Sequence, residues 1–258
     1  MVAQYKSAII GLGRISSTID DEIIGSSWQL PFSHMGAYLQ VPEVEVVGAA
    51  DLHAEQREAF GERYGFSHLY TDYREMLEKQ AIDIAAPILP VNANPEVVIG
   101  CAEAGVKAIL CEKPISVSLA EVDQMIDVCK SRRIVFAAGD LDVNLPAYQK
   151  ALQFIGSGEL GMVKSISLLG GPGSEMSGGG CQRFTLMRHF AGCAEVAWMM
   201  GWVSDDPLSD HDQGGAGYVR FANGIEAIIY GDKDARGRGY EVVCEGGVFR
   251  SDDNFVGL

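Results

Sequence analysis

Ala8-Ile9-Ile10-Gly11-Leu12-Gly13-Arg14-Ile15-Ser16-Ser17 decides how the rest of the chain is read, because an apolar run breaks there into a Gly-x-Gly turn. Tyr5 to Ile10 reads as a buried strand. Gly11 permits the tight turn, and Gly13 lets the backbone approach a pyrophosphate. The N-terminus of a following helix offers unbonded N–H donors and the positive end of its dipole. Ser16 stands where a third glycine is usual; it is small enough to pack closely, and its hydroxyl can donate to phosphate. A glycine-rich turn without any ligand is the competing reading of these residues alone.

Outward from this turn, short apolar runs alternate with longer segments of helical period. Val44 to Ala50, Ile82 to Ile88, Ala108 to Cys111 and Ile134 to Ala138 read as further strands, each bounded by Gly, Pro or Asp. Apolar runs without polar alternation fit a parallel sheet covered on both faces. Ala54 to Tyr64, closed by Gly65, and Asn94 to Ala104, closed by Gly105, read as helices with glycine caps. Ser118 and Glu121 have capping-box spacing for another helix through Cys129. The expected first domain is therefore a doubly wound α/β unit.

The second strand ends at Asp51, where a carboxylate accepts the ribose hydroxyls of adenosine and repels a 2′-phosphate, so NAD is favoured over NADP. Asp51 lies 51 − 13 = 38 residues after Gly13, against the usual spacing of about 20. Thr18 to Ser33 therefore reads as an inserted loop before a helix at His34 to Gln40. It is either a lid over the cofactor or a surface excursion.

Beyond Leu141 the pattern changes. Pro146 to Ile155 reads as a helix, Met162 to Leu169 as a strand, and Gly170 to Gly180 as a glycine-rich stretch. Phe184 to Met200 is apolar and helix-like. Ala216 to Phe221 and Ile225 to Tyr230 flank the turn Ala222-Asn223-Gly224, a strong hairpin signal, and Tyr240 to Cys244 with Gly247 to Arg250 make another pair. The expected second domain is α+β with a mainly antiparallel sheet, over 126–258 after a first domain of 1–125.

Composition narrows the function classes. The 258 residues carry a formal charge of 20 − 35 = −15, with 47% hydrophobic and 21% charged residues. That length and composition support a folded core and exclude a disordered chain. Dispersed Lys and Arg with this net charge argue against a nucleic-acid partner. No run approaches the ~18 apolar residues of a membrane span, and no signal peptide precedes the first strand, so the expectation is a cytoplasmic protein with no membrane partner. Six scattered cysteines without CxxC spacing imply neither a metal site nor a disulfide framework.

With Cys111-Glu112-Lys113-Pro114 after the fourth apolar run, the chain resembles the Gfo/Idh/MocA family of NAD(P)-dependent oxidoreductases. The Gly11/Gly13 turn, His34-Met35-Gly36-Ala37-Tyr38 and Tyr70-Thr71-Asp72-Tyr73 extend the likeness over most of the first half. The resemblance implies a Rossmann domain in which Gly11, Gly13, Arg14, Ile15, Ser16, Asp51, Leu89, Pro90 and Glu112 contact NAD. Lys113 inherits the role of general acid/base beside the nicotinamide and the substrate carbinol. Without the family pattern, Lys113 reads as an exposed lysine paired with Glu112. Of the family's Thr-Pro-Asn and following His, the run Leu89 to Asn94 retains only Pro90.

In the second half, Gly178-Gly179-Gly180 followed by His189 is similar to the family's glycine run and catalytic histidine, although Thr185 replaces the usual aspartate four residues earlier. His189 is either a second catalytic group or a core residue, and Arg188 either an anion contact or a surface group. Asp142, Asn144 and Tyr148 are substrate-facing candidates by position. Trp198 and Trp202 read as core or interface aromatics. The resemblance implies a carbohydrate-like small-molecule substrate, a homodimer or homotetramer, and a second domain that continues further than here, so the chain is either truncated or short. The expected activity is hydride transfer at a hydroxylated carbon of a sugar or polyol. The alternatives are a cofactor-binding sensor or assembly protein that has lost catalysis, and NAD-assisted glycoside cleavage on the same scaffold.

Overall fold

Alternate side chains of the first strand, β1 (Tyr5–Ile10), enter two different cores. Ala8 and Ile10 pack with Val97, Val98 and Met125, whereas Ile9 packs with Met35 and Phe60. A strand apolar on both faces needs cover on both, and helices supply it. The computed structural model describes residues 5–22, 30–139, 142–170, 180–203, 214–232, 239–252 and 255–257. The chain divides into two compact units, Met1–Gly139 and Asp140–Leu258.

The first unit runs β1, α1 (His34–Leu39), β2 (Val44–Ala50), α2 (Ala54–Tyr64), β3 (Leu69–Tyr70), α3 (Tyr73–Lys79), β4 (Ile84–Pro87), α4 (Asn94–Glu103), β5 (Ala108–Cys111), α5 (Leu119–Ser131) and β6 (Val135–Ala138). All its strand pairs are parallel, in the order β3-β2-β1-β4-β5-β6. This is the Rossmann arrangement, and the order reverses between β1 and β4. A crevice opens outside the carboxyl ends of strands at such a point. As the glycine predicts, α2 closes on Gly65 in the left-handed region (φ 61°), with Phe66 N bonded to Gly61 O. Capping of α5 differs from the expected box. The Ser118 side chain makes no cap bond; Ser116 Oγ accepts from Ser118 N and donates to Glu121.

The first helix departs most from the sequence reading. After Gly13 the chain makes one turn over 14–17 and leaves it for the insertion, which begins with a short 3-10 helix, Ile19–Glu22. It returns at Ser33, which caps α1 by accepting from Gly36 N. His34 N then bonds Ile15 O and Met35 N bonds Ser16 O, both at 3.1 Å. In an unbroken helix residues 19 and 20 would hold those two carbonyls. The insertion therefore splits the helix after its first turn, and the expected loop between turn and helix is an excursion from within one helix. Asp20 closes it by accepting from Phe32 N (2.7 Å), Ser33 N (2.9 Å) and Ser33 Oγ (2.6 Å). Residues 23–29, including Gly25, lie outside the described residues.

The second unit runs α6 (Pro146–Gly156), β7 (Val163–Gly170), α7 (Gly180–Phe190), β8 (Val196–Val203), β9 (Gly214–Phe221), β10 (Glu226–Asp232), β11 (Gly239–Cys244), β12 (Gly247–Asp252) and β13 (Phe255–Gly257). The sheet order is β13-β12-β11-β7-β10-β9-β8; β7 pairs β10 in parallel and every other pair is antiparallel. One face of the sheet, through Ile166, Leu168, Val219, Ile229 and Val242, packs on Leu186, Met187 and Phe190 of α7 and Ala151 of α6. The Asn-Gly hairpin forms as predicted, with Gly224 at φ 89°.

The helix expected over 184–200 does not form as one element. It stops at Phe190, where Gly192 (φ 69°) and Cys193 (φ 57°) turn the backbone left-handed, and Val196–Val203 becomes the edge strand β8. Valine and tryptophan flanking both ends of that run favour an extended backbone. All eight residues of β8 are exposed.

Candidate functional site

The carboxyl ends of β1, β2, β4 and β5 carry the predicted first-unit residues. Gly11 sits at φ 93°, and a Cβ there would lie 2.2 Å from Ile88 O, so no side chain fits. Around Gly13 the opposite holds: a Cβ would meet nothing within 4 Å. Backbone bonds of the turn begin at Ser16 N, which leaves Gly13, Arg14 and Ile15 N–H without an acceptor among the described residues. A glycine with open space beside three such donors fits an anionic pyrophosphate. Ser16 is fully buried, and its hydroxyl donates to Gly11 O, so it staples the turn from inside. Ile15 lends its carbonyl to the splice with α1.

Asp51 follows β2 with its carboxylate largely covered. Oδ2 accepts from Leu12 N (2.8 Å), while Oδ1 accepts from His53 N (2.8 Å) and lies 3.0 Å from His53 Nδ1. The acid is thus fixed beside the glycine turn, with acceptor capacity left for ribose hydroxyls. Arg57 donates to Asp51 O and Leu52 O at the same strand end. Arg14, a predicted cofactor contact, forms a two-pronged pair with Glu22 of the insertion at 2.6 Å on each side. Arg63 grips Asp21 in the same way, at 2.7 Å twice.

Glu112 and Lys113 extend past β5, and the Lys113–Pro114 peptide is cis. Glu112 N bonds Pro87 O of β4 (2.8 Å), which holds the motif beside the Leu89-Pro90 segment. That segment backs the glycine turn: Leu89 is part of the wall against Gly11, and Pro90 is exposed. The Glu112 carboxylate turns to His34 Nε2 at 3.1 Å, the side chains being 17% and 14% exposed. It does not turn to Lys113. The half-buried Lys113 forms no hydrogen bond or ion pair among the described residues. Asn94, wholly buried at the start of α4, donates from Nδ2 to Pro114 O (3.1 Å) and Glu112 O (3.4 Å) and clamps the motif from beneath.

In the second unit, α7 turns Arg183, Leu186, Met187 and Phe190 inward, while His189 and Arg188 lie exposed in its last turn. Arg183 donates to Leu169 O, and Thr185 Oγ1 to Cys181 O (3.2 Å). Gly178 and Gly179 of the glycine run lie outside the described residues, as do the side chain of Asp142 and residues 171–179 in general. Tyr148 belongs to the core: its ring packs edge-on against Tyr240 at 5.3 Å, and its hydroxyl lies 3.1 Å from Ser251 Oγ. Asn144 has a bonded partner. Trp198 stacks on Tyr218 at 5.2 Å, and Trp202 is exposed.

The sequence pattern of the family described as "Oxidoreductase family, NAD-binding Rossmann fold" matches residues 5–139. The chain belongs to the Gfo/Idh/MocA family. Among curated relatives it is 28% identical over 131 residues to the myo-inositol 2-dehydrogenase of Thermotoga maritima, a match covering 51% of this chain and 34% of that protein. It is 28% identical over 129 residues to the D-apiose dehydrogenase of Paraburkholderia graminis, covering 50% of this chain and 30% of that one. The chain thus spans about a third of the length of these relatives. In fold it resembles the WlbA dehydrogenase of Bordetella pertussis, solved with NADH and UDP-GlcNAcA. The TM-score is 0.84 at 16% identity, over 99% of this chain and 77% of that one. The fold likeness therefore runs through the second unit as well.

Two residues of this Gfo/Idh/MocA chain escaped the sequence reading of the site. In the sequence His34 stands as the first residue of the helix after the insertion and as part of a family stretch, and nothing in one sequence pairs it with Glu112. Asn94 was read as a departure from the family run, although an asparagine opening a helix beside a strand end is a signal for backbone capture.

Proposed function

We propose that the protein is an NAD-dependent oxidoreductase that moves hydride to or from a hydroxylated carbon of a sugar, polyol or related small molecule. The observation that carries this reading is the unpaired amine of Lys113 at the strand edge that also bears the open Gly13 turn. The turn donors of Gly13, Arg14 and Ile15 suit a pyrophosphate, and the Asp51 carboxylate suits unphosphorylated ribose, which favours NAD over NADP. NAD, when bound, supplies the hydride acceptor. Lys113 Nζ takes the carbinol proton during oxidation and returns it during reduction, as a general acid/base must. Leu89 and Pro90 wall the nicotinamide side, and His189 is a candidate second proton carrier.

Incubation with NAD and a panel of sugars and polyols, followed by NADH absorbance, tests the activity. Lys113→Ala is expected to abolish turnover while NAD still binds; undiminished turnover would sink the assignment.

A second reading, a cofactor-binding sensor or assembly protein without turnover, is favoured by the exposure of His189 on the outer side of α7. NAD binding without oxidation of any panel member would select it.

A further inference from the structure

We propose that the second unit carries a carboxylate-binding site centred on Arg183, and that its ligand is a sugar acid. The choice of a sugar rests on the reading of the protein as a sugar or polyol oxidoreductase; the site itself rests on the guanidinium. Arg183 is only 7% exposed, yet it forms no ion pair among the described residues. Its hydrogen bond to protein goes to a neutral acceptor, Leu169 O near the end of β7. A covered cation is costly unless an opposite charge and further hydrogen bonds compensate it, and a guanidinium has five N–H donors to satisfy. By contrast, the exposed Arg14, Arg63 and Arg220 each hold a carboxylate. The covered arginine lacks the anion that these exposed ones have.

The two elements that the guanidinium joins supply no acid, since neither α7 nor β7 contains Asp or Glu. On the strands beside β7, Glu226 of β10 is held by Arg220 and Glu241 of β11 by Arg250. Arg183 is the fourth residue of α7, and helical side chains lean toward the N-terminus of their helix. The guanidinium therefore lies over the first turn, where the positive end of the helix dipole also favours an anion. Among the described residues, the sealed side-chain atoms without a partner are Ser7 Oγ, Tyr38 OH, Tyr73 OH and Asn94 Oδ1, and no Arg183 nitrogen is one of them. The nitrogens that do not bond Leu169 are thus open to a ligand. Other cations of the two elements stand apart: Arg188 and His189 lie exposed in the last turn of α7, and Lys164 holds Glu245. One guanidinium balances one negative charge, which selects a carboxylate over a phosphate dianion.

Calorimetric titration of the whole chain, with NAD present, compares glucuronate, galacturonate and gluconate with glucose, galactose and sorbitol, and includes glucose 6-phosphate. At least one acid is expected to bind about tenfold or more tightly than its neutral counterpart, and added salt is expected to narrow the difference. Arg183→Gln keeps a donor for Leu169 O but removes the charge, so the acid is expected to fall to the affinity of the neutral sugar, which itself changes little. Arg183→Lys keeps the charge without the fork and is expected to retain part of the preference, a pattern that a purely structural arginine would not produce. Equal affinity for every acid and its neutral counterpart in the unsubstituted protein overturns the proposal, even if neither variant folds. A preference that survives in Arg183→Gln overturns it too, and tighter binding of glucose 6-phosphate overturns the choice of a carboxylate. Preferred binding of an acid in a protein that never reduces NAD leaves the site standing and overturns the oxidoreductase reading. Oxidation of neutral and acidic sugars alike, with both KM values unchanged in Arg183→Gln, does the reverse.

Discussion

Leu12 N and Asp51 Oδ2 meet at 2.8 Å across the ends of two neighbouring strands, so the acid after β2 is also a fastening for the glycine turn after β1. Substitution at Asp51 therefore acts twice, on turn geometry and on ribose contact. Asp51→Asn keeps an acceptor for Leu12 N, whereas Asp51→Ser loses it. Asp51→Ser is expected to weaken NAD binding about tenfold or more, roughly 1.4 kcal/mol, and to narrow discrimination against NADP. Asn should retain more of the NAD affinity than Ser. Calorimetric titration with both nucleotides checks this.

The two glycines of the turn separate stability from binding. Gly11→Ala forces a Cβ onto Ile88 O at a left-handed φ, and is expected to cost about 2 kcal/mol or more of stability. Gly13→Ala has room for its methyl, so the melting temperature should barely move while NAD affinity falls. Thermal denaturation with and without NAD distinguishes the pair, and equal destabilisation by both would contradict the geometry.

At the opposite edge of the same sheet, Asp83 joins three strand starts. Oδ2 accepts from Lys6 N at 2.9 Å and Oδ1 lies 2.6 Å from Lys107 Nζ. The lysine, followed by the Lys6 amide, holds this carboxyl below its ordinary value of 3.8. Its contribution is complete above that value and disappears as pH falls through the lower folded-state value. Asp83→Ala should cost about 1–2 kcal/mol at neutral pH, chiefly from the amide bond, since the pair with the exposed Lys107 adds little. Urea unfolding of both proteins should show the difference shrinking below about pH 4.

The open face of the second sheet and its β8 edge give an assembly prediction. On β8, Met200 lies in register with Tyr218 and Ile228, Trp202 with Ala216, Tyr230 and Leu169, and Trp198 with Arg220 and Glu226, and most of the large apolar side chains in these rows are exposed. An apolar sheet face of this kind, ending in a strand with neither charge nor proline, favours burial against another surface. We expect a dimer or tetramer through this face. Met200→Lys with Trp202→Lys should shift the protein to monomer in light scattering without lowering its melting temperature, and an unchanged mass would refute the assignment.

How much of this was legible depended on how local the signal was. β1, β2 and β5 announce themselves as apolar runs bounded by turn residues, and the Asn223-Gly224 hairpin needs only two residues to specify it. Gly11 could be read because steric demand at a turn is a one-residue property. β3 could not, since Leu69 and Tyr70 carry no period. The 184–200 segment was misread because an apolar run buried in a helix and one exposed on an edge strand share a composition, and only Gly192 and Cys193 mark the break. The pairing of His34 with Glu112 spans 78 residues, and the Asp51 bond to Leu12 spans 39. Contacts at such separations are set by sheet order, which a single sequence implies only once the whole topology is assumed.

The helix interrupted after Ser17 and resumed at His34 shows that helical hydrogen-bond continuity and covalent continuity are separate properties. Its later turn bonds the first through His34 N on Ile15 O and Met35 N on Ser16 O, so the donors of the anion cradle sit on a turn whose continuation comes from sixteen residues further along the chain. A search that demands fixed spacing between the glycines and the ribose-side acid passes over chains built this way, whereas one that scores donors by the carbonyls they reach would find them.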